Sequence, residues 1–140
     1  MNTKEKVARK IKDMMVYLDF LKEHCVDEEE LSNNYLLKSA IERNLQLAIE
    51  SALDIGEVII ASEDLQKPEN YRSIILNLGS EGIIPYDFAE RFSEAAKLRN
   101  ILVHMYTEVD PEVVSQVLQN NLQDFERYVQ YIAHYLDKKK

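Results

Sequence analysis

Four side chains able to do chemistry fall within one short run, Leu98-Arg99-Asn100-Ile101-Leu102-Val103-His104-Met105-Tyr106. The guanidinium of Arg99 presents a rigid fork of donors suited to phosphate oxygens. The imidazole of His104 belongs to the one side-chain class whose ordinary pKa, about 6.5, lies near neutrality, so it can take up and return protons. Asn100 offers an amide donor and acceptor for orienting a neighbour, and the Tyr106 phenol offers a ring and a hydroxyl.

Spacing decides how far these groups can cooperate. On a helix each residue advances about 100°, so Asn100 and His104 share one stripe and Arg99 and Tyr106 share another. Arg99 and His104 lie about 140° apart in projection. They meet on one ligand only if Arg99 reaches around the helix or a second copy supplies the complement. On spacing alone, a surface ion pair, a half-buried imidazole and an interhelix phenol explain the run at least as well.

The rest of the chain reads as the scaffold for this helix. Val7, Ile11, Met14, Leu18 and Leu21 form the apolar stripe of a first helix over about Thr3–His24. Asp27-Glu28-Glu29-Glu30 supplies an acidic first turn, and a long second helix is expected from about Glu29 to Ser62. Its stripe runs through Leu37, Ile41, Leu45, Ala48, Ala52, Ile55 and Ile59, with Gly56 marking a close helix approach. Asn70 is a candidate N-cap for a short helix over Tyr71–Leu78, ending at Gly79 or Gly82. Pro85 leads into a fourth helix that carries the Arg99–Tyr106 run. Asp110-Pro111-Glu112 opens the last helix with a cap, a proline and an acid, and Lys138-Lys139-Lys140 closes it. The expected fold is all-α: an up-down bundle of four main helices plus one short helix, in a single domain spanning 1–140.

Composition narrows the function classes. Among 140 residues, 46% are hydrophobic and 30% charged, with three glycines, three prolines and one cysteine, Cys25. That balance is globular and helix-rich. A lone cysteine fits a reducing cytoplasm. No apolar run reaches the roughly 20 residues of a membrane span, and Met1–Lys6 has no signal-peptide character, so a cytoplasmic protein without membrane contact is expected. A net charge of −8 argues against wrapping nucleic acid through many phosphate contacts, yet permits a small basic site. His24, His104 and His134 are far apart, and no zinc-spaced cluster, phosphate loop or nucleophile elbow is present in the sequence. Neither metal nor cofactor is expected.

Arg99-Asn100, four further positions to His104, then Tyr106 two beyond, resembles the signature of the HEPN superfamily. It is most similar to the HepT-like branch, toxin ribonucleases paired with an MntA-type minimal nucleotidyltransferase antitoxin. Glu42-Arg43, Asp54-Ile55-Gly56, the Leu78–Pro85 turn and Asp110-Pro111 extend the similarity over nearly the whole chain. The resemblance implies a homodimer with two facing motifs, a type VII-like toxin–antitoxin pair, and metal-independent cleavage of RNA. Arg99 would then bind the phosphate, His104 would move the proton, Asn100 would orient the His104 ring or contact the sugar–phosphate, and Tyr106 would accept the AMP that silences the toxin. Glu108, four after His104, can hydrogen-bond its ring. Lys97 and Arg91 are candidate RNA contacts, and Asp54, with Glu50 and Glu57, is a candidate cleft or partner residue. The rival reading is a non-catalytic nucleotide-binding or adaptor module acting with a nucleotidyltransferase, which the acidic surface favours.

Overall fold

The computed structural model describes residues 1–104 and 109–139. Among the described residues every regular element is helical: α1 (Thr3–Glu23), α2 (Glu28–Asn33), α3 (Tyr35–Ser62), α4 (Tyr71–Ser80), α5 (Tyr86–Phe92), α6 (Glu94–His104), α7 (Pro111–Asn120) and α8 (Leu122–Lys138). The all-α bundle expected from the sequence is present, but three of its long members are subdivided.

Each subdivision has a local cause. Asn34 leaves helical geometry (φ −132°, ψ 89°) and its side chain accepts from the Leu37 amide at 3.0 Å, which ends α2 and caps α3. The second helix is therefore not continuous from Glu29, and its long part, α3, spans about 42 Å at the standard rise. Ser93 stays in the α region while its hydroxyl donates to the Glu90 carbonyl at 2.7 Å, a back-bond of the kind that bends helices. Asn121 (φ −117°, ψ −6°) divides α7 from α8. With α2–α3, α5–α6 and α7–α8 taken as bent units, four main members and the short α4 remain.

Long α3 is the axis. Helix α1 lies along it, and α4 and α6 pack on its second half. Val7, Met14, Leu18 and Leu21 of α1 are wholly buried, as are Ile41, Leu45, Ala48, Ile55 and Ile59 of α3. Gly56 marks the closest approach: a Cβ there would stand 2.5 Å from Ile74 Cγ2 of α4. Helix α4 starts with a reciprocal Asn70–Ser73 capping box. It ends in a Schellman motif, with Ile83 N–H on Leu78 O (3.0 Å), Gly82 N–H on Gly79 O (3.1 Å) and Gly82 at φ +72°.

Aromatic packing fixes α5 and α8 against this axis. Phe92 stacks on Tyr128 with centroids 4.8 Å apart and meets Phe125 edge-on at 5.3 Å. Tyr128 lies within the core, fully buried, its hydroxyl donating to Ala52 O of α3 at 2.8 Å. Burial holds this phenol neutral, its pKa far above the ordinary tyrosine value.

Candidate functional site

The described part of the motif occupies α6, whose inner residues Ala96 and Leu98 anchor it to the core. Arg99 turns inward from that helix toward α3 and α4. Its guanidinium carbon stands 4.6 Å from the ring centroid of Tyr71, the first residue of α4. Nη1 donates to Asn100 Oδ1 at 3.3 Å. Glu50 Oε1 of α3 lies 3.4 Å from Arg99 Nε, near enough for an ion pair but not aligned as a hydrogen bond. The buried Nε–H therefore has no acceptor among the described residues, although the side chain is only 17% exposed. A guanidinium so packed is oriented, and because its Nε–H is sealed against the Glu50 carboxylate an incoming anion is left the Nη groups.

Asn100 is exposed and lines a groove of about 860 Å³ bounded by the end of α3, the connector before α4, α4 itself and α6. His104 is exposed on the last turn of α6. The structure thus brings Arg99 and Asn100 into contact, whereas His104 follows Asn100 along the stripe they share, about 140° from Arg99 in projection. Tyr106 and Glu108 lie outside the described residues.

The supporting candidates separate. Lys97 is exposed and pairs with Glu94 at 3.2 Å beside the same groove. Asp54 faces α1, where Lys10 Nζ donates to it at 3.2 Å, and has no contact with Arg99. Arg91 is committed to Asp124 through two hydrogen bonds, 3.3 and 3.1 Å long, which raise its pKa above the ordinary arginine value. Two residues that reach Arg99 were not singled out as such by the sequence. Glu50 appeared only as one acid of a shared face, and Tyr71 only as the start of a helix. A carboxylate cluster, Glu28, Asp110 and Glu112, lies on the surface where α2 meets α7, with all three exposed.

Comparison with known proteins decides the family. A profile of the ribonuclease HepT-like family matches residues 8–132. The chain belongs to the HepT-like ribonuclease family. Among its relatives, the tRNA nuclease HepT of Aphanizomenon flos-aquae is 30% identical over 121 residues, covering 86% of this chain and 82% of that protein. The mRNA nuclease HepT of Shewanella oneidensis is 28% identical over 106 residues, or 76% of this chain and 80% of that one. A solved structure of a tri-AMPylated Shewanella oneidensis HEPN toxin in complex with an MNT antitoxin superposes with a TM-score of 0.86. It is 25% identical and covers 96% of this chain and 99% of that one. As a HepT-like family member the chain shares the all-α HEPN fold, and among the described residues no helix is long and apolar enough to cross a membrane.

Proposed function

We propose that this chain is the toxin of a toxin–antitoxin pair, an endoribonuclease that cleaves RNA without a metal ion. Arg99 carries the reading: a nearly buried guanidinium, held between Tyr71 and Glu50, with the exposed Asn100 beside it. Membership of a ribonuclease family favours this over the adaptor alternative.

Cleavage needs removal of the 2′-hydroxyl proton, attack of that oxygen on phosphorus and protonation of the departing 5′-oxygen. His104 takes the first proton. In a homodimer a second copy of His104 returns one to the leaving group, so protons balance and a 2′,3′-cyclic phosphate forms. Arg99 stabilises the charge gathering on the phosphate oxygens, and its fixed position means little reorganisation at that moment. Asn100 orients the guanidinium through the 3.3 Å bond and faces the sugar–phosphate. A homodimer answers the separation of Arg99 from His104, because each active centre can draw one group from each copy.

An MntA-type nucleotidyltransferase is the proposed antitoxin, and Tyr106 the proposed AMP acceptor. An adenylate there adds bulk and negative charge two residues from His104, repelling the RNA phosphate. The AMPylated state of the Shewanella oneidensis toxin supports this. Glu108 keeps its proposed place as a hydrogen-bond partner of His104, and Lys97 as an RNA contact.

The test is cleavage of RNA by highly purified wild type, His104→Ala and Arg99→Ala, with and without a chelator. Loss of about 100-fold or more in both variants, unaffected by chelation, is the expected result. Equal activity in all three would identify a contaminant. Intact mass after incubation with the nucleotidyltransferase and ATP should show an adenylate increment that Tyr106→Phe removes.

A further inference from the structure

The groove beside Asn100 is larger than a phosphate requires, and its walls combine an aromatic ring, aliphatic side chains and charged groups. Its volume of about 860 Å³ lies within the range of about 300–1,000 Å³ typical of small-molecule sites. Tyr71, with 41% of its surface exposed, forms one wall. Arg99 stands over its ring at 4.6 Å and does not itself line the groove. Lys67, Arg72 and Lys97 bring three cations to the lining and Glu57 and Glu69 two anions, a near-neutral balance once the adjoining Glu94 is counted, in a chain of net −8. Glu94 bridges two of those cations, 3.2 Å from Lys97 and 3.8 Å from Arg72.

We infer that this groove is a nucleoside subsite for single-stranded RNA, in which an unstacked base lies on Tyr71 and its flanking phosphate is taken by Arg72 and Lys97. The inference rests on the ribonuclease reading and adds to it a substrate class: an unpaired nucleotide next to the cleaved phosphate. Base stacking on an aromatic ring accepts any base, and only single strands or splayed loops present one. The chain's net charge of −8 argues against wrapping of duplex RNA and favours a local stack plus a few phosphate contacts. Glu94 is then a competitor of the RNA phosphate. It occupies Lys97 and Arg72 in the free protein and is displaced when RNA enters.

The test uses the full-length protein and a short fluorescent single-stranded RNA with every 2′-hydroxyl methylated, which the proposed chemistry cannot cleave. Tyr71→Ala should weaken binding about tenfold, whereas Tyr71→Phe stays within about twofold. Glu94→Gln should tighten binding by about two- to fivefold, a gain that mere loss of structure cannot produce. An oligonucleotide carrying 5-iodouridine should photocrosslink to Tyr71 in the wild-type protein, which a role confined to positioning Arg99 would not give. Wild-type affinity in both Tyr71→Ala and Glu94→Gln, or a crosslink that maps outside the groove, overturns the subsite. If His104→Ala loses cleavage while the groove variants bind normally, the ribonuclease reading stands and the subsite falls. If the groove variants shift affinity but wild type leaves every RNA intact, the subsite stands as an RNA-binding site and the catalytic reading falls.

Discussion

Two arginines on the bent α5–α6 unit, Arg91 and Arg99, differ in how far the fold commits their guanidinium groups. Arg91 is the more exposed, at 53%, yet its fork is committed: Nε and Nη2 donate to the two oxygens of Asp124, which is only 7% exposed and also receives Arg127 at 3.1 Å. Arg99 is the more buried, at 17%, and is under-satisfied, with a misaligned carboxylate and an Nε–H without an acceptor among the described residues. Burying an unmatched donor costs free energy, and a fold retains it where another interaction or a ligand offsets the cost. Exposure alone ranks Arg91 as the freer group; the state of their hydrogen bonds reverses that order.

That contrast can be broken from the structural side first. Asp124→Ala removes the acceptor of both Arg91 and Arg127, and should cost about 2 kcal/mol after discounting for the exposure of the arginines. Thermal melting measures it, and RNA cleavage below the transition should be unchanged. A drop in cleavage instead would give Arg91 a role in the chemistry. Gly56→Ala tests the axis that carries Glu50. The new methyl group, 2.5 Å from Ile74 Cγ2, should lower stability by about 1 kcal/mol net, the gain in helix propensity offsetting part of the overpacking.

Tyr128→Phe removes the 2.8 Å bond to Ala52 O and should cost about 1 kcal/mol near neutrality. Its pH signature is sharper. The folded phenol has a raised pKa, so its stabilising effect is fully present below the unfolded value of about 10 and is lost as pH rises above it. Urea midpoints should therefore fall above about pH 10 in wild type more steeply than in Tyr128→Phe. Glu50→Gln should move stability least, within about 0.5 kcal/mol, because its pair with Arg99 is loose. It should nonetheless change cleavage severalfold, since the carboxylate helps to set where the guanidinium rests. No change in cleavage would leave Tyr71 as the element that positions Arg99.

What the sequence made legible was local. The Asn70 cap, the glycine exit of α4, the Asp110-Pro111 start of α7 and the close approach at Gly56 each follow from one residue's backbone or cap chemistry, and each is in the structure. The separation of Arg99 from His104 followed from helical rotation. The bends at Asn34, Ser93 and Asn121 were not legible, because a polar side chain within a good helical pattern competes with the backbone only when packing favours it. The partners of Arg99 were hidden for a related reason. Glu50, Asp54 and Glu57 occupy one helix face in sequence, yet meet different neighbours: Arg99, Lys10 and the groove. Only the packing of α3 against α1, α4 and α6 distinguishes them.

The most direct measurement is a paired one: RNA cleavage and melting temperature for Arg99→Lys and Arg91→Lys beside wild type. Lysine keeps the charge but loses the fork. Arg99→Lys should lose about 100-fold or more in cleavage while melting close to wild type. Arg91→Lys should cleave within about twofold of wild type and carry its loss, about 1 kcal/mol, in stability alone. Equal cleavage by the two variants, or a loss confined to Arg91→Lys, would contradict the assignment of Arg99 as the phosphate-binding residue.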